Sequence, residues 1–504
     1  MSSDHIVDLF LNPKSVAVIG ASKNLVKGGN RIINNLTLNK FKGKIYPVNP
    51  NAEGEIYGLE FKKSVLDIED KVDLAIFYVG NRVIPGLLED CIKKGIKGAL
   101  IEASGFEEVG KEGLELRDKI VEITDNFSKI RIVGPNCMGL TKIDGDSNSE
   151  EKGGFFSGFG VFEKYKRGNI AVVSQSGMLN GGYLMHIMQK YPELGIRYSC
   201  SIGNKMDLSE IEFLEYFIDD PTVNVIAIYL ESFRNPRKFI ELCKKTKKIP
   251  KKTIILVKGG LTSQGQKATL SHTGALAENS QLLKAIIKQS GVIQANSFDE
   301  LFQFARTFSM IYDTNKKLPK KGGVATIVGS GGAGTLIADL TMKYGLHLPT
   351  LGDEAYQALV EVFPEWMPPN RFSLVDIWPA MEKAMMKRIG RDVVTKAAYD
   401  AVLGEPEIEG LFNMMFCSRR FRSMWNIPNM IESTIKTSKP IFFYLIGEAK
   451  EIKYLSQLLG ESNIPCFTNL REMIENYSIL LKESKNKEKI LNSLILKEAN
   501  TSKK

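Results

Sequence analysis

One local pattern recurs along the chain and constrains its fold more than any other feature. A near-continuous apolar run meets a glycine-bearing break and then an amphipathic stretch. It occurs first at Ser15-Val-Ala-Val-Ile19. There Gly20-Ala21-Ser22 ends the run, and Lys27-Gly28-Gly29-Asn30 opens a stretch carrying Ile32, Ile33 and Leu36. It restarts at Asn169-Ile-Ala-Val-Val173, with the break Ser174-Gln-Ser-Gly177 and a predicted helix over 178–191. A third start is Gly323-Val-Ala-Thr-Ile-Val328, with Gly329-Ser-Gly-Gly-Ala-Gly334 and a helix from Thr335. A strand covered on both faces reads as an unbroken apolar run, and alternation of such strands with helices predicts parallel, doubly wound α/β sheets.

Further strands fill each repeat. The first continues with 44–48, 73–79, 98–102 and 131–133, with helices expected at 83–94 and 112–125. The second continues with 224–230 and 253–257, and the third with 410–415 and 440–445. The polar, glycine-rich stretch 144–168 reads as a separator, and Lys317-Leu-Pro-Lys-Lys-Gly322 as a second linker. Three consecutive α/β domains are expected, at 1–143, 165–312 and 320–485, with a basic tail over 486–504. Ligands in such sheets bind beyond the carboxyl ends of the strands. That gathers Gly20, Ala21, Ser22, Lys27, Gly28, Asn49, Pro50, Val79, Asn81 and the 134–139 turn around one cleft.

Composition narrows the class. The 504 residues are 43% hydrophobic and 25% charged, as in soluble globular chains. No apolar run of about 18 residues suggests a membrane span, and no basic-then-apolar start suggests a signal peptide. Six scattered cysteines form no CxxC pair, which fits reduced thiols in the cytoplasm and no metal site. The net charge of +9 sits largely in lysine runs such as 244–252 and 482–504. These read as solvated faces and a frayed terminus. No aromatic-interleaved basic motif points to nucleic acid. An anionic ligand is the other reading of that charge.

Two turns carry candidate chemistry. Ser176-Gly177 and Gly331-Gly332 each follow a strand and open a helix, where free N–H groups and the helix dipole attract anions. Either alone also reads as a tight turn without a ligand; together they suggest a shared phosphate. His272, one of four histidines, stands in the polar stretch 267–277 before the apolar positions Leu282, Leu283, Ile286 and Ile287. That stretch reads as a loop presenting an imidazole able to act as acid, base or nucleophile. Glu231 ends its strand, where a carboxylate can fix an imidazole's tautomer or lie solvated.

The motifs Gly20-Ala-Ser22, Gly134-Pro-Asn-Cys137, Ser174-Gln-Ser-Gly177, Ser201-Ile-Gly-Asn-Lys-Met-Asp207, Tyr229-Leu-Glu231, Ser271-His-Thr-Gly-Ala-Leu276 and Gly331-Gly-Ala-Gly334 occur in that order. Together they resemble the NDP-forming (ADP-forming) acyl-CoA synthetases of alpha-subunit type, relatives of succinyl-CoA synthetase. The likeness runs from about residue 8 to 345 and more loosely to about 480. It implies Rossmann-like and flavodoxin-like domains and a ligase that interconverts acyl-CoA, ADP and phosphate with acid, CoA and ATP. An acyl phosphate and a phosphohistidine would lie between. His272 matches the phosphohistidine, Glu231 its acidic partner, and Ser176, Gly177, Gly331 and Gly332 the phosphate-holding helix starts. The first domain matches the CoA-binding domain.

No ATP-grasp domain is legible, so the resemblance implies a separate ATP-grasp beta subunit that carries ADP or ATP with Mg2+, in a hetero-oligomer. Two departures stand out. Ser373-Leu-Val-Asp376 replaces an Asn-Pro-Val-Asp turn, and Met178-Leu-Asn-Gly-Gly182 replaces a small, alanine-rich start. A CoA-binding regulatory protein without turnover is the alternative. A nicotinamide oxidoreductase is disfavoured, because no GxGxxG and no ribose-holding acid follow the first strands.

Overall fold

The computed structural model describes residues 5–501 except 159, 161–162, 274–278 and 421–425, and the side chains of all of these but 270–273, 494 and 496–501. The chain divides into two compact units, Met1–Ala305 and Arg306–Lys504.

Among the described residues the first unit holds two large sheets and a two-stranded antiparallel ribbon, Glu55–Ile56 with Leu59–Glu60. In one, Lys44–Val48, Ser15–Ile19, Leu74–Phe77, Gly98–Ile101 and Arg131–Val133 lie side by side, all parallel. Numbered along the chain, that is the order 2-1-3-4-5. The five residues of Ser15–Ile19 are all buried, as their unbroken apolar character requires. The helix Gly28–Leu38 covers the sheet through Ile32, Ile33 and Leu36. In the other sheet the parallel strands run Gly195–Ser201, Lys166–Ser174, Val225–Leu230, Thr253–Lys258 and Ile293–Gln294, which is again 2-1-3-4-5.

The stretch expected to be a separator departs from that reading. Leu140–Gly145 and Gly153–Phe156 extend the second sheet as two antiparallel strands. Phe155 and Phe156 are buried there. A Cβ at Gly154 would lie 2.1 Å from the Lys142 carbonyl oxygen, so glycine is what lets these strands approach. The lysine run over 244–252 is likewise not wholly solvated. Lys247 and Lys252 are buried. The Lys252 ammonium donates to the carbonyls of Phe217 (2.9 Å), Ile218 (2.9 Å) and Asp220 (2.7 Å), closing the end of the helix Glu210–Asp219.

The second unit has one sheet: Leu374–Asp376, Val324–Val328, Gly410–Cys417, Ile441–Gly447 and Cys466–Phe467, all parallel and once more 2-1-3-4-5. Over its described residues, 486–501, the basic tail expected to fray is the end of one long helix, Leu470–Thr501, and Ile490 is buried there. The chain is thus α/β throughout, with three Rossmann-like and flavodoxin-like sheets of one strand order. Among the described residues, no helix is long and apolar enough to cross a membrane.

Candidate functional site

Strand order fixes where a site can form. In a 2-1-3-4-5 sheet the connections leave strands 1 and 3 in opposite directions, so a crevice opens at their carboxyl ends. In the second sheet those ends are Ser174 and Leu230, which deliver Ser176-Gly177 and Glu231 to one crevice. Gln175 ties the two turns together. Its side-chain oxygen accepts the N–H of Glu231 at 2.8 Å and of Ser232 at 3.2 Å, and its own N–H donates to the Tyr229 carbonyl at 3.1 Å. Ser174 steadies the turn from within, accepting the Ser176 N–H at 3.0 Å and donating to its carbonyl at 2.8 Å. The chain becomes helical at Gly177, passes through a π-helical turn at Leu179–Tyr183 and continues as Leu184–Lys190.

Glu231 is buried, and its carboxylate accepts the Tyr229 hydroxyl at 3.2 Å. Burial and that carboxylate push the Tyr229 phenol up, so it stays a donor. The Lys258 ammonium, also buried, donates to the Glu231 carbonyl at 2.7 Å and the Gly259 carbonyl at 2.6 Å. It brings a positive charge to the crevice wall.

His272 is placed differently from the sequence expectation. It lies in the helix Ser263–Thr273, not in a loop. The helix extends this far because Gln266, Lys267 and Ala268 favour it, Thr262 accepts the Gly265 N–H at 3.1 Å, and no proline intervenes. Its start folds back on the end of Thr253–Lys258. A Cβ at Gly260 would lie 3.1 Å from the Thr269 hydroxyl, and one at Gly259 would lie 3.6 Å from Glu231 Cγ. The histidine-bearing helix therefore rises from beside Glu231. The His272 side chain and residues 274–277 lie outside the described residues.

The sequence-predicted residues of the first sheet share its carboxyl edge. Gly20 has φ +92°, and a Cβ there would lie 2.2 Å from the Tyr78 carbonyl oxygen and 2.8 Å from Val79 Cγ1. Only glycine fits between strands 1 and 3 at this crossing. Gly28 abuts the Tyr78 ring, 2.2 Å from a Cβ position. Asn49, which precedes Pro50, donates to the Ala21 carbonyl at 2.7 Å, and Asn30 donates to the Ser22 carbonyl at 2.9 Å. Asn81 donates to the Gly105 carbonyl. Lys27 is the exposed residue before the helix Gly28–Leu38.

The 134–139 loop joins this edge to the second sheet. Asn136 N–H donates to the Ala103 carbonyl at 2.8 Å, and Met138 N–H to the Ser201 hydroxyl at 3.0 Å. Met138 packs on the Ser176-Gly177 turn, 2.7 Å from a Cβ position at Gly177 and 2.6 Å from one at Gly181. Arg131 holds Asp207 through two bonds of 2.8 Å, and the Ile132 N–H adds a third at 2.8 Å.

Gly331 and Gly332 belong to the second unit. They start the helix Gly331–Lys343 at the carboxyl end of Val324–Val328, and both are exposed. A Cβ at Gly332 would meet nothing within 4 Å, so this helix start is open. Asp376, at the end of the neighbouring strand, lies 3.6 Å from a Cβ position at Gly331. Burial pushes its carboxyl up, partly offset by the Trp378 N–H. Among the described residues no group of three His, Cys, Asp or Glu is placed to hold a metal.

Sequence reasoning missed Gln175, Lys258, Met138 and Glu102. Gln175 carried a signal, a polar residue directly after an apolar strand. The other three declare themselves only through contacts distant in sequence.

Residues 14–142 match a CoA binding domain, and residues 167–308 a succinyl-CoA ligase like flavodoxin domain. The alpha subunit of acetate–CoA ligase (ADP-forming) I from Pyrococcus furiosus is 34% identical over 96% of this chain and 99% of its own length. Acetate–CoA ligase (ADP-forming) II from Archaeoglobus fulgidus is 34% identical over 92% of this chain but only 64% of its own length. The chain therefore spans under two thirds of that longer relative. Acetyl-coenzyme A synthetase 1 of Ca. Korarchaeum cryptofilum, solved with phosphate and ADP, superposes with a TM-score of 0.82, at 28% identity over 97% of this chain and 99% of that one. The chain belongs to the family of ADP-forming acyl-CoA synthetases, of alpha-subunit type.

Proposed function

We propose that the chain is the acyl-transferring and phosphoryl-carrying subunit of an ADP-forming acyl-CoA synthetase. The observation that carries this reading is the crevice where Ser176-Gly177, Glu231 and the start of the His272 helix come from adjacent strands of one sheet.

The carboxyl edge of the first sheet takes CoA. The turn at Gly20, Ala21 and Ser22 and the helix start at Gly28 receive its phosphates, with Lys27 adding charge. Asn49, Pro50, Val79 and Asn81 line the same edge. Phosphate attacks the acyl carbon of a small acid's CoA thioester, the carbon–sulfur bond breaks, and an acyl phosphate forms. His272 then takes the phosphoryl group, releasing the free acid. Glu231 holds the imidazole and steadies its cation, while the N–H groups at Ser176-Gly177 hold the phosphoryl oxygens. The dipole of that helix start contributes ~0.3–1 kcal/mol, beyond its hydrogen bonds. The open start at Gly331 and Gly332 is a further anion-binding surface, on the second unit. The phosphoryl group passes to ADP, bound with Mg2+ on a separate ATP-grasp beta subunit. Phosphoryl transfer of this kind relies on positioning and charge neutralisation rather than elaborate covalent chemistry.

The test is thiol release from a panel of acyl-CoA thioesters, with ADP and phosphate, by this chain mixed with its ATP-grasp partner. ATP should form in step with free CoA, and the chain alone should form none. ATP formation by the single chain, or none by the mixture with any thioester, contradicts the reading.

A further inference from the structure

Glu102 follows the strand Gly98–Ile101 at the carboxyl edge of the first sheet. Its side chain is only 6% exposed. Both carboxyl oxygens are buried without a hydrogen-bond partner among the described residues. Buried carboxyls are otherwise almost always hydrogen-bonded, because burial without a partner costs several kcal/mol. No packing need explains an acid here, since the neighbouring strand residues Leu100 and Ile101 are aliphatic and buried.

Its surroundings are those of the proposed acyl transfer. Above it lies the 134–139 loop, with Glu102 Oε1 3.0 Å from a Cβ position at Gly139. The titratable group beside it is Cys137, whose thiol donates to the Ile101 carbonyl at 3.3 Å. The same loop carries Met138 onto Gly177 and Gly181. Asn180, the residue before Gly181 in the π-helical turn, is also buried with its side-chain oxygen unpartnered. Two unsatisfied polar side chains thus flank a loop that joins the first-sheet edge to the Ser176-Gly177 turn. Burial alone pushes the Glu102 carboxyl well up, and no charged neighbour contributes. The Cys137 thiol is also pushed up, by burial first and Glu102 second.

We propose that Glu102 is a catalytic acid–base group that gives its proton to the departing sulfur of CoA. This rests on the acyl-CoA reading above. A phosphate oxygen bonds to the acyl carbon, and the carbon–sulfur bond breaks with its electron pair on sulfur. The Glu102 proton goes to that sulfur, and the proton of the attacking hydrogen phosphate refills the carboxylate. In the reverse direction Glu102 returns its proton to the departing phosphate oxygen and takes the thiol proton as sulfur attacks the acyl phosphate.

The test uses the chain with its ATP-grasp partner and reads two half-reactions. One is thiol release from acyl-CoA and phosphate, with hydroxylamine trapping the acyl phosphate. The other is phosphorylation of the chain by labelled ATP, which involves no sulfur. Glu102→Gln should slow thiol release by ~10²–10⁴-fold and leave labelling at the wild-type rate. Glu102→Asp should recover part of the loss with a shifted pH profile. Wild-type thiol release by Glu102→Gln, or equal losses in both half-reactions, overturns the proposal. Should Glu102→Gln not fold, the aspartate variant decides. A selective loss with a shifted pH profile supports the role, and an unshifted profile overturns it. A wild type that releases no thiol from any thioester removes the acyl-CoA reading itself, a different outcome from a normal wild type and a normal variant.

Discussion

Gln175 and Glu231 stand 56 residues apart in sequence, yet the Gln175 side-chain oxygen accepts the Glu231 N–H at 2.8 Å. One buried amide thus sets the spacing between the Ser176-Gly177 turn and Glu231. Removing it leaves the N–H groups of Glu231 and Ser232 without that acceptor. Gln175→Ala should cost ~1–3 kcal/mol in urea unfolding, the range for orphaned buried donors, and should slow phosphoryl transfer. Unchanged stability and rate would mean the latch is ornamental.

The glycines make opposite predictions. A Cβ at Gly29 would lie 2.1 Å from the Gly20 carbonyl oxygen, a backbone atom that cannot swing away. Gly29→Ala should cost ~1–3 kcal/mol by overpacking and weaken CoA binding in calorimetry. At Gly332 nothing lies within 4 Å of the added carbon. Gly332→Ala should leave stability within ~0.5 kcal/mol, and any lost phosphoryl transfer would then report on the helix start as an anion surface.

The pH dependence of stability follows from Glu102. Its folded carboxyl titrates well above the ordinary range, because burial disfavours the charged form. The folded chain therefore binds this proton more tightly than the unfolded chain does. The stabilisation is full below the unfolded value of ~4.3 and is lost as pH rises toward the raised folded value. Urea midpoints measured upward from about pH 4 should carry this downward contribution, and Glu102→Gln should remove it. Identical slopes for both proteins would contradict the burial argument.

Much of the fold was legible because apolar runs and glycine breaks act locally. All three strand–turn–helix starts lie in the expected segments, although the third helix begins at Gly331 rather than at Thr335, and the helix Ile84–Lys94 and the strand Leu74–Phe77 fall within their expected ranges. What was not legible depends on distant contacts. Gly195–Ser201 hides behind Arg197, a charged residue buried in mid-strand whose guanidinium reaches the Ile143 carbonyl and Asp144. Leu140–Gly145 carries Lys142 and Asp144, and Gly153–Phe156 opens with two glycines, so neither reads as a strand until its partner is known. The His272 stretch looked like a loop because its polar residues are weak helix formers, and the helix is set by its start near Thr262. Glu231 and Ser176-Gly177 were legible as strand ends. That they share a crevice follows from the strand order, which no local signal carries.

Arg131 and Asp207 link the last strand of the first sheet to the segment after Gly195–Ser201. Asp207 accepts three hydrogen bonds of 2.8 Å, and its side chain is 7% exposed. Asp207→Ala leaves the guanidinium and the Ile132 N–H without that acceptor. It should destabilise by ~3 kcal/mol, toward the upper range for charge-assisted bonds. Differential scanning calorimetry on the variant checks this, and an unshifted transition would contradict it.

The central claim is that His272 carries the phosphoryl group beside Glu231. The direct measurement is phosphorylation of the chain by labelled ATP, in the presence of the ATP-grasp partner, followed by acid and base treatment of the labelled protein. The account predicts a label that acid removes and base spares. His272→Ala should abolish it while leaving CoA binding intact, and Glu231→Gln should slow it by ~10²–10⁴-fold. A His272→Ala variant that still takes the label, or turns over normally without one, would contradict the account.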